Sequence, residues 1–254
     1  MKKVFKVLKV IGYILLVLIV LLCGAYFRFN EKLPVGQSGE KAEALATKMV
    51  QAVNKTAWDS TAIIGWTYHG PHVYIWDKKR NLARVKWENN VAFINVATAS
   101  GKVFENNVEI TDASKSAKLI KNAHEFFIND AFWLNPVVKA FDEGTTRSLV
   151  TRADGKEDLL VSYTSGGLTP GDAYLWILGE NGLPTSWKLW AGIVPIGGVE
   201  TSWEAWTTLP TGAKIATSHK LKGTNMIIPI TDLKSANTFK EFGLMDDPFA
   251  LLVQ

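Results

Sequence analysis

The chain is poor in cysteine: Cys23 is the only one in 254 residues, which excludes an internal disulfide framework and every cysteine-rich zinc site. The short catalytic and nucleotide-binding signatures are missing as well. There is no G-x-S-x-G, no H-E-x-x-H, no G-x-x-x-x-G-K-[ST] and no G-x-G-x-x-G following a strand, so an enzyme built on this chain would need a site outside that set. No internal repeat of fixed period is visible, which disfavours propellers and solenoids. Positive charge is scarce beyond the start of the chain. Lys2, Lys3, Lys6 and Lys9 account for the whole net charge of +4, and a neutral remainder cannot supply the phosphate contacts of non-specific nucleic-acid binding. No nucleic acid, metal or cofactor is expected.

Charge is also absent from Val10 to Phe27, an apolar run that reaches roughly 27 Å as a helix, close to the hydrocarbon thickness of a bilayer. Four lysines precede it, whereas Arg28, Glu31 and Lys32 follow with little net charge. The positive-inside rule then places the N-terminus in the cytoplasm and the body outside, as a single-pass protein of the inner (cytoplasmic) membrane with its body in the periplasm or extracytoplasmic space. The competing reading is a cleaved signal peptide, since Cys23-Gly24-Ala25 resembles a small-x-small processing site, although the apolar run exceeds a usual h-region. Leu22 argues against lipidation of Cys23, which otherwise reads as a small apolar residue of a membrane helix.

The expected organisation is a cytoplasmic stub and anchor over 1–30, a linker over 31–41, a folded body over 42–232 and a tail over 233–254. Ala42, Leu45, Ala46, Met49 and Val53 share one helical face, with Glu40 and Glu43 in the first turn and Asn54 as terminator. From Ala62 the period becomes two. Ala62, Ile64, Trp66 and Tyr68 share a strand face; Tyr74 and Trp76, then Ala83, Val85 and Trp87, then Val91 to Val96 continue a meander. Asp112 or Ser114 caps a second helix bearing Ala117, Ile120, Ala123, Phe127 and Ala131, which Asn135-Pro136 ends. Seven further strands follow, over 145–151, 158–163, 173–178, 184–191, 199–206, 214–221 and 225–230, with hairpin residues at nearly every joint. The class is therefore mainly β with α (α+β): a curled antiparallel sheet of about eleven strands with two helices on its concave face, plus the N-terminal membrane helix.

Ten tryptophans are the feature that needs explaining. Trp66, Trp76, Trp87, Trp176, Trp187 and Trp203 fall in strands whose alternate positions are also bulky, while Trp190 and Trp206 take the opposite parity. Either the indoles pack against the helices, or part of this face is left as a pocket for an apolar ligand. The second reading assigns the ligand site to Trp66, Tyr68, Trp76, Trp87, Phe127, Tyr174 and Trp176, with Arg147 as headgroup contact unless Asp142 or Asp172 claims it.

Other polar candidates carry less. His69 and His72 flank a turn and read as surface histidines, since a metal would need two further ligands nearby. His124 reads as a solvated helix edge. His219 lies inside a strand, where it would be structural or would act as acid or base with Asp142 or Asp172. Ser165 to Asp172, with three glycines, is a shaped loop that would either present amides to an anion or be closed by the Asp172 side chain.

The order of elements from Ala42 to Ile230, helix, meander, inserted helix and strands again, resembles the half-barrel of the lipoprotein carriers LolA and LolB and their lipid-binding relatives. The segments Asp130 to Leu134, Phe141 to Thr145 and Ser165 to Trp176 are similar to those of a group of uncharacterised bacterial envelope proteins, a likeness that brings no activity. The chain differs from LolA in keeping an anchor and from LolB in lacking a lipidation signal. The resemblance thus implies not a shuttle but a membrane-tethered module that binds a lipid or other apolar ligand in its concavity. A structural or interaction subunit of the cell envelope, with the tryptophans only packing its core, is the alternative; an enzyme using His219 is the other.

Overall fold

The computed structural model describes residues 2–165 and 169–252, so Gly166, Gly167 and Leu168 of the glycine loop lie outside the described residues, as does the side chain of Cys23. The first helix, α1 (Lys2–Phe29), carries the uncharged run, and its Ile11–Phe29 stretch is long and apolar enough to cross a membrane. Among its described residues none is buried against the body.

Two short helices follow. Helix α2 (Glu40–Ala52) has Glu40 and Glu43 in its first turn, where the helix dipole favours acids. Asn54 ends it by turning left-handed (φ 56°) and then caps α3 (Lys55–Ser60), its side chain accepting from the Ala57 amide. The meander β1 (Ile63–Tyr68), β2 (His72–Asp77), β3 (Leu82–Trp87), β4 (Asn90–Asn95), β5 (Ser100–Glu105) and β6 (Val108–Glu109) comes next. Asp112 caps α4 (Ala113–Leu134), and a 3-10 turn at Pro136–Lys139 follows it. The remaining strands are β7 (Thr145–Thr151), β8 (Glu157–Tyr163), β9 (Ala173–Leu178), β10 (Pro184–Trp190), β11 (Val199–Ser202), β12 (Glu204–Thr208), β13 (Lys214–Lys220) and β14 (Ile227–Ala236), before a last turn of helix, α5 (Phe239–Phe242).

All pairs are antiparallel, in the orders β12-β13-β14-β1-β2-β3-β4-β5-β6 and β11-β10-β9-β8-β7. The single predicted strand over 199–206 is thus two strands, separated by Trp203 alone, and the chain passes from one sheet to the other at that residue. A bridge from Thr201 to Leu221 and a bond from the Trp203 amide to the Thr185 carbonyl (2.8 Å) hold the seam. Neither sheet closes on itself, which leaves a curled, open half-barrel.

The eleven strands expected become fourteen: β5 and β6 were hidden in a polar stretch with Val103 as its one fully buried residue, and the seam splits another. Ala205, with φ 54°, resets the alternation in β12, so Trp206 packs toward Trp203 and the main core rather than opposite to it. Trp190 does take the opposite face, against Leu160, Ala173 and Leu175.

Ala46, Met49 and Val53 of α2 and Ile120, Ala123 and Phe127 of α4 share one core with the inward residues of both sheets, so both helices lie on the concave face. The convex side of the larger sheet has its own cover. Strand β14 continues to Ala236, past the end of the body read from sequence, and the segment after it folds back to bury Phe249 against Ile63, Ile75 and Leu82. Arg80 fastens that segment through paired bonds to Asp247 (2.7 and 2.8 Å) and one to Asp77 (2.6 Å). Phe249→Ala empties a fully buried site and should destabilise the protein by about 3–5 kcal/mol, read as a lower denaturation midpoint. Met245→Ala, at a neighbouring exposed position, should stay within about 0.5 kcal/mol.

Candidate functional site

The last turns of α4 are apolar nearly all round, because Phe127, Ile128, Ala131, Phe132, Trp133 and Leu134 leave few polar positions for solvent. Such a segment belongs between layers. Phe127 meets Trp66, Tyr74 and Trp76 of the larger sheet, with centroids 5.3–6.1 Å away. Phe132 and Trp133 meet Tyr163, Tyr174 and Trp187 of the smaller one at 5.1–6.1 Å. The packing is incomplete, and a cavity of about 490 Å³ remains around this end of the helix.

Its wall is largely aromatic and aliphatic: Trp58 and Trp76 on one side, Tyr163, Tyr174, Trp187 and Leu189 on the other, with Phe132 and Trp133 between. Ala191, Ile193 and Val194, from the loop after β10, complete it. At the rim Lys55 pairs with Asp59 at 2.6 Å and Lys139 with Asp142, while Glu143 makes no ion pair among the described residues. Asp172 accepts from the Thr169 hydroxyl (2.5 Å) and the Gly192 amide (3.0 Å), closing the glycine loop as a side-chain cap. Burial, with Asp172 adding to it, raises the Tyr174 pKa above its ordinary value, which keeps the phenol neutral. Three wall residues hold buried N–H groups with no partner among the described residues: Trp76, Asn135 and Trp187. A wider groove of about 620 Å³ between α4 and the β4–β5 turn, touching Ala117, Ile120 and His124, lies at the protein surface.

Of the residues read from sequence as a ligand site, Trp76, Phe127 and Tyr174 line the cavity. The others stand behind its wall or away from it. Trp66 is stacked on Tyr74 (4.5 Å), Trp87 lies edge-on to Phe126, and Trp176 is enclosed by Trp187 and Trp203. Tyr68 sits half-buried at the end of β1 beside His69. Arg147 bonds Glu43 of α2 (2.7 Å), the Ala140 carbonyl (2.9 Å) and the Thr145 hydroxyl (2.8 Å), with its guanidinium over Phe141. Its partner is neither Asp142 nor Asp172. Phe132, Trp133, Leu189 and Val194 were missed as lining residues, and the helix that becomes apolar on every side was the signal.

His219 does not pair with Asp142 or Asp172. It is fully buried beside Trp203 (4.2 Å), with Nδ1 facing the Ser202 carbonyl at 3.3 Å and Nε2 without a partner among the described residues. His72, expected as a plain surface histidine, instead opens β2 and places Nδ1 2.7 Å from the buried carboxylate of Asp130. The same carboxylate oxygen accepts from the Tyr74 hydroxyl at 2.5 Å, and the Asn129 amide donates to the other at 2.8 Å. This cluster ties α4 to β2, and no sequence motif announced it. His124 is likewise tied, through Nε2, to the Val96 carbonyl at 3.0 Å. Among the described residues no three His, Cys, Asp or Glu side chains are grouped to hold a metal ion.

No protein-family model matches the chain, and no curated protein matches it. A solved structure of a DUF1329 family protein from Desulfovibrio piger is similar to it at a TM-score of 0.38 and 10% identity, over 78% of this chain and 94% of that one.

Burial pulls the His219 pKa down from 6.5 to about 4. Between those values the unfolded chain binds a proton that the folded protein refuses at this site, so the contribution of His219 to stability falls as pH drops from about 6.5 to 4 and is constant below. The loss is on the order of 3 kcal/mol. His219→Leu should flatten this part of the stability–pH curve, measured by denaturant unfolding across the range.

Proposed function

We propose that this protein is a membrane-tethered extracytoplasmic binding module that holds a lipid or another apolar ligand in the cavity beside α4. The observation that carries the reading is the wall: about 490 Å³ faced by Phe132, Trp133, Tyr174, Trp187 and Leu189, with two ion pairs and Glu143 at the rim and Asp172 hydrogen-bonded to Thr169 and Gly192. That volume falls in the ~300–1,000 Å³ range of small-molecule sites. An acyl chain suits the aromatic wall.

Tethering is supported by the length and hydropathy of Ile11–Phe29, and the orientation by the four lysines that precede it. The order of helix, meander, helix and strands resembles that of the LolA and LolB half-barrels. A purely structural role draws support from Trp66, Trp87 and Trp176, which pack the core without reaching the cavity. One experiment separates the two.

The full chain in phospholipid nanodiscs containing a diazirine-bearing phosphatidylethanolamine is irradiated and mapped by mass spectrometry. Cross-links should concentrate on the peptides bearing Phe132–Trp133 and Leu189. Ala131→Trp, which fills the cavity from α4, and Val194→Trp, which fills it from the loop, should each remove them without lowering the melting temperature. Cross-links confined to α1 in the unaltered protein would replace the binding reading with the structural one.

A further inference from the structure

The segment between the anchor and the body is fastened down along its length. Immediately after α1, the Gly197 amide donates to Asn30 Oδ1 at 2.7 Å and the Glu31 amide donates to the Gly197 carbonyl at 3.0 Å. Trp190 Nε1 donates to the Glu31 carbonyl (2.8 Å), and Lys188 grips the Glu31 carboxylate at 2.7 and 2.8 Å. The approach is close enough that a Cβ on Gly198 would lie 2.6 Å from that of Glu31. Farther on, Gln37 exchanges two backbone bonds with Leu149 at the edge of β7 (2.8 and 2.9 Å). A free tether makes none of these contacts.

What the strap holds at the end of α1 is the loop between β10 and β11, the same loop that supplies Ala191, Ile193 and Val194 to the cavity. Ile193 is 68% exposed, an isoleucine at the mouth turned largely to the outside. Phe141, beside the rim residues Asp142 and Glu143, is exposed too, as are Phe27, Phe29, Leu33 and Val35 where the helix gives way to the strap. The half-buried Trp190 is bonded to Glu31, two residues beyond the end of α1, and indoles are enriched at membrane interfaces. An apolar rim fixed to the last residues of a membrane helix has one neighbour in reach.

We propose that the outer surface of the bilayer crossed by α1 seats on this rim through Ile193 and Phe141, so that the cavity opens into the membrane and takes its ligand from it directly. The docking stands on the strap and the exposed apolar residues; the loading route rests on the ligand-binding reading above. The contact is apolar, since Lys139 and Asp142 neutralise each other and the remaining rim charge, Glu143, is an acid that an anionic bilayer does not attract, so added salt does not weaken it.

The test uses the full chain in nanodiscs of phosphatidylethanolamine and phosphatidylglycerol, in a Cys23→Ala background. An environment-sensitive fluorophore is placed on Ile193→Cys or, as reference, on Val108→Cys at the two-residue strand β6. With nitroxide-labelled acyl chains present, the Ile193 probe should be quenched severalfold more than the Val108 probe at low and high salt. Combining Asn30→Ala and Glu31→Ala with Gly198→Val, whose Cβ would lie 2.6 Å from that of residue 31 and so prises apart the backbone-held bonds as well, should bring the two together. Equal quenching in the unaltered strap overturns the docking, and quenching that survives the triple substitution overturns the strap as its cause. For the route, Ile193→Asp should slow labelling of the cavity by the bilayer-resident diazirine lipid while sparing labelling by a water-soluble diazirine octanoate. Equal rates with both probes overturn direct loading and leave the cavity as a binding site. Failure of both probes to label the unaltered cavity sinks the binding reading and, with it, the route, but not the docking.

Discussion

Everything else in this structure depends on one helix having to fill two sheets. The strands put their bulky residues on a shared concave face, and such a face is unstable in water until something covers it. α4 does so with opposite sides of its last turns: Phe127 serves the aromatic group around Trp66, Tyr74 and Trp76, while Phe132 and Trp133 serve the group around Tyr174, Trp187 and Trp203. The buried carboxylate of Asp130 locks the rotation between these sides by accepting from His72 and Tyr74 of the neighbouring strand. A helix fixed at one rotation cannot optimise both contacts. The cavity lies where the two packing demands fail to meet, which is why its wall contains residues from both sheets and from the helix.

The same constraint explains what could be read in advance. Period-two alternation located the meander because a half-buried strand must alternate, and the two helices show a stripe because each has one face to bury. The hairpin residues marked most joints. What alternation could not reveal was any place where the backbone resets it. Ala205 in left-handed conformation reverses the parity of Trp206, and the passage at Trp203 turns one long strand into the edges of two sheets. β5 escaped notice for a different reason: at the edge it faces α4 with little more than Val103, and one apolar residue makes no pattern.

The candidate site was legible by composition and only partly by position. An excess of indoles on one face pointed to a concavity, and Trp76, Phe127 and Tyr174 do line it. Alternation gives the face of a residue but not its depth along the strand, so Trp66 and Trp176 share the parity of Trp76 and Trp187 while lying behind the wall. Arg147 illustrates the limit for polar groups. Its need for a buried partner followed from its charge, yet the partner is Glu43, 104 positions away on α2, and only the fold brings them together.

An open half-barrel must also dispose of its two free edges, and the way this chain does so returns to the anchor. Edge strands invite pairing with other molecules. β6 is two residues long, which leaves little ladder to extend, and β7 at the other margin is met by Gln37 of the strap. The strap therefore does two things with one stretch of backbone: it blocks the β7 edge, and through Asn30 and Glu31 it sets the end of α1 beside the loop bearing Ile193. Closing the sheet into a complete barrel would have removed the edges but also the gap around α4. Protecting the edges separately lets the sheet stay open, and the cavity exists because it does.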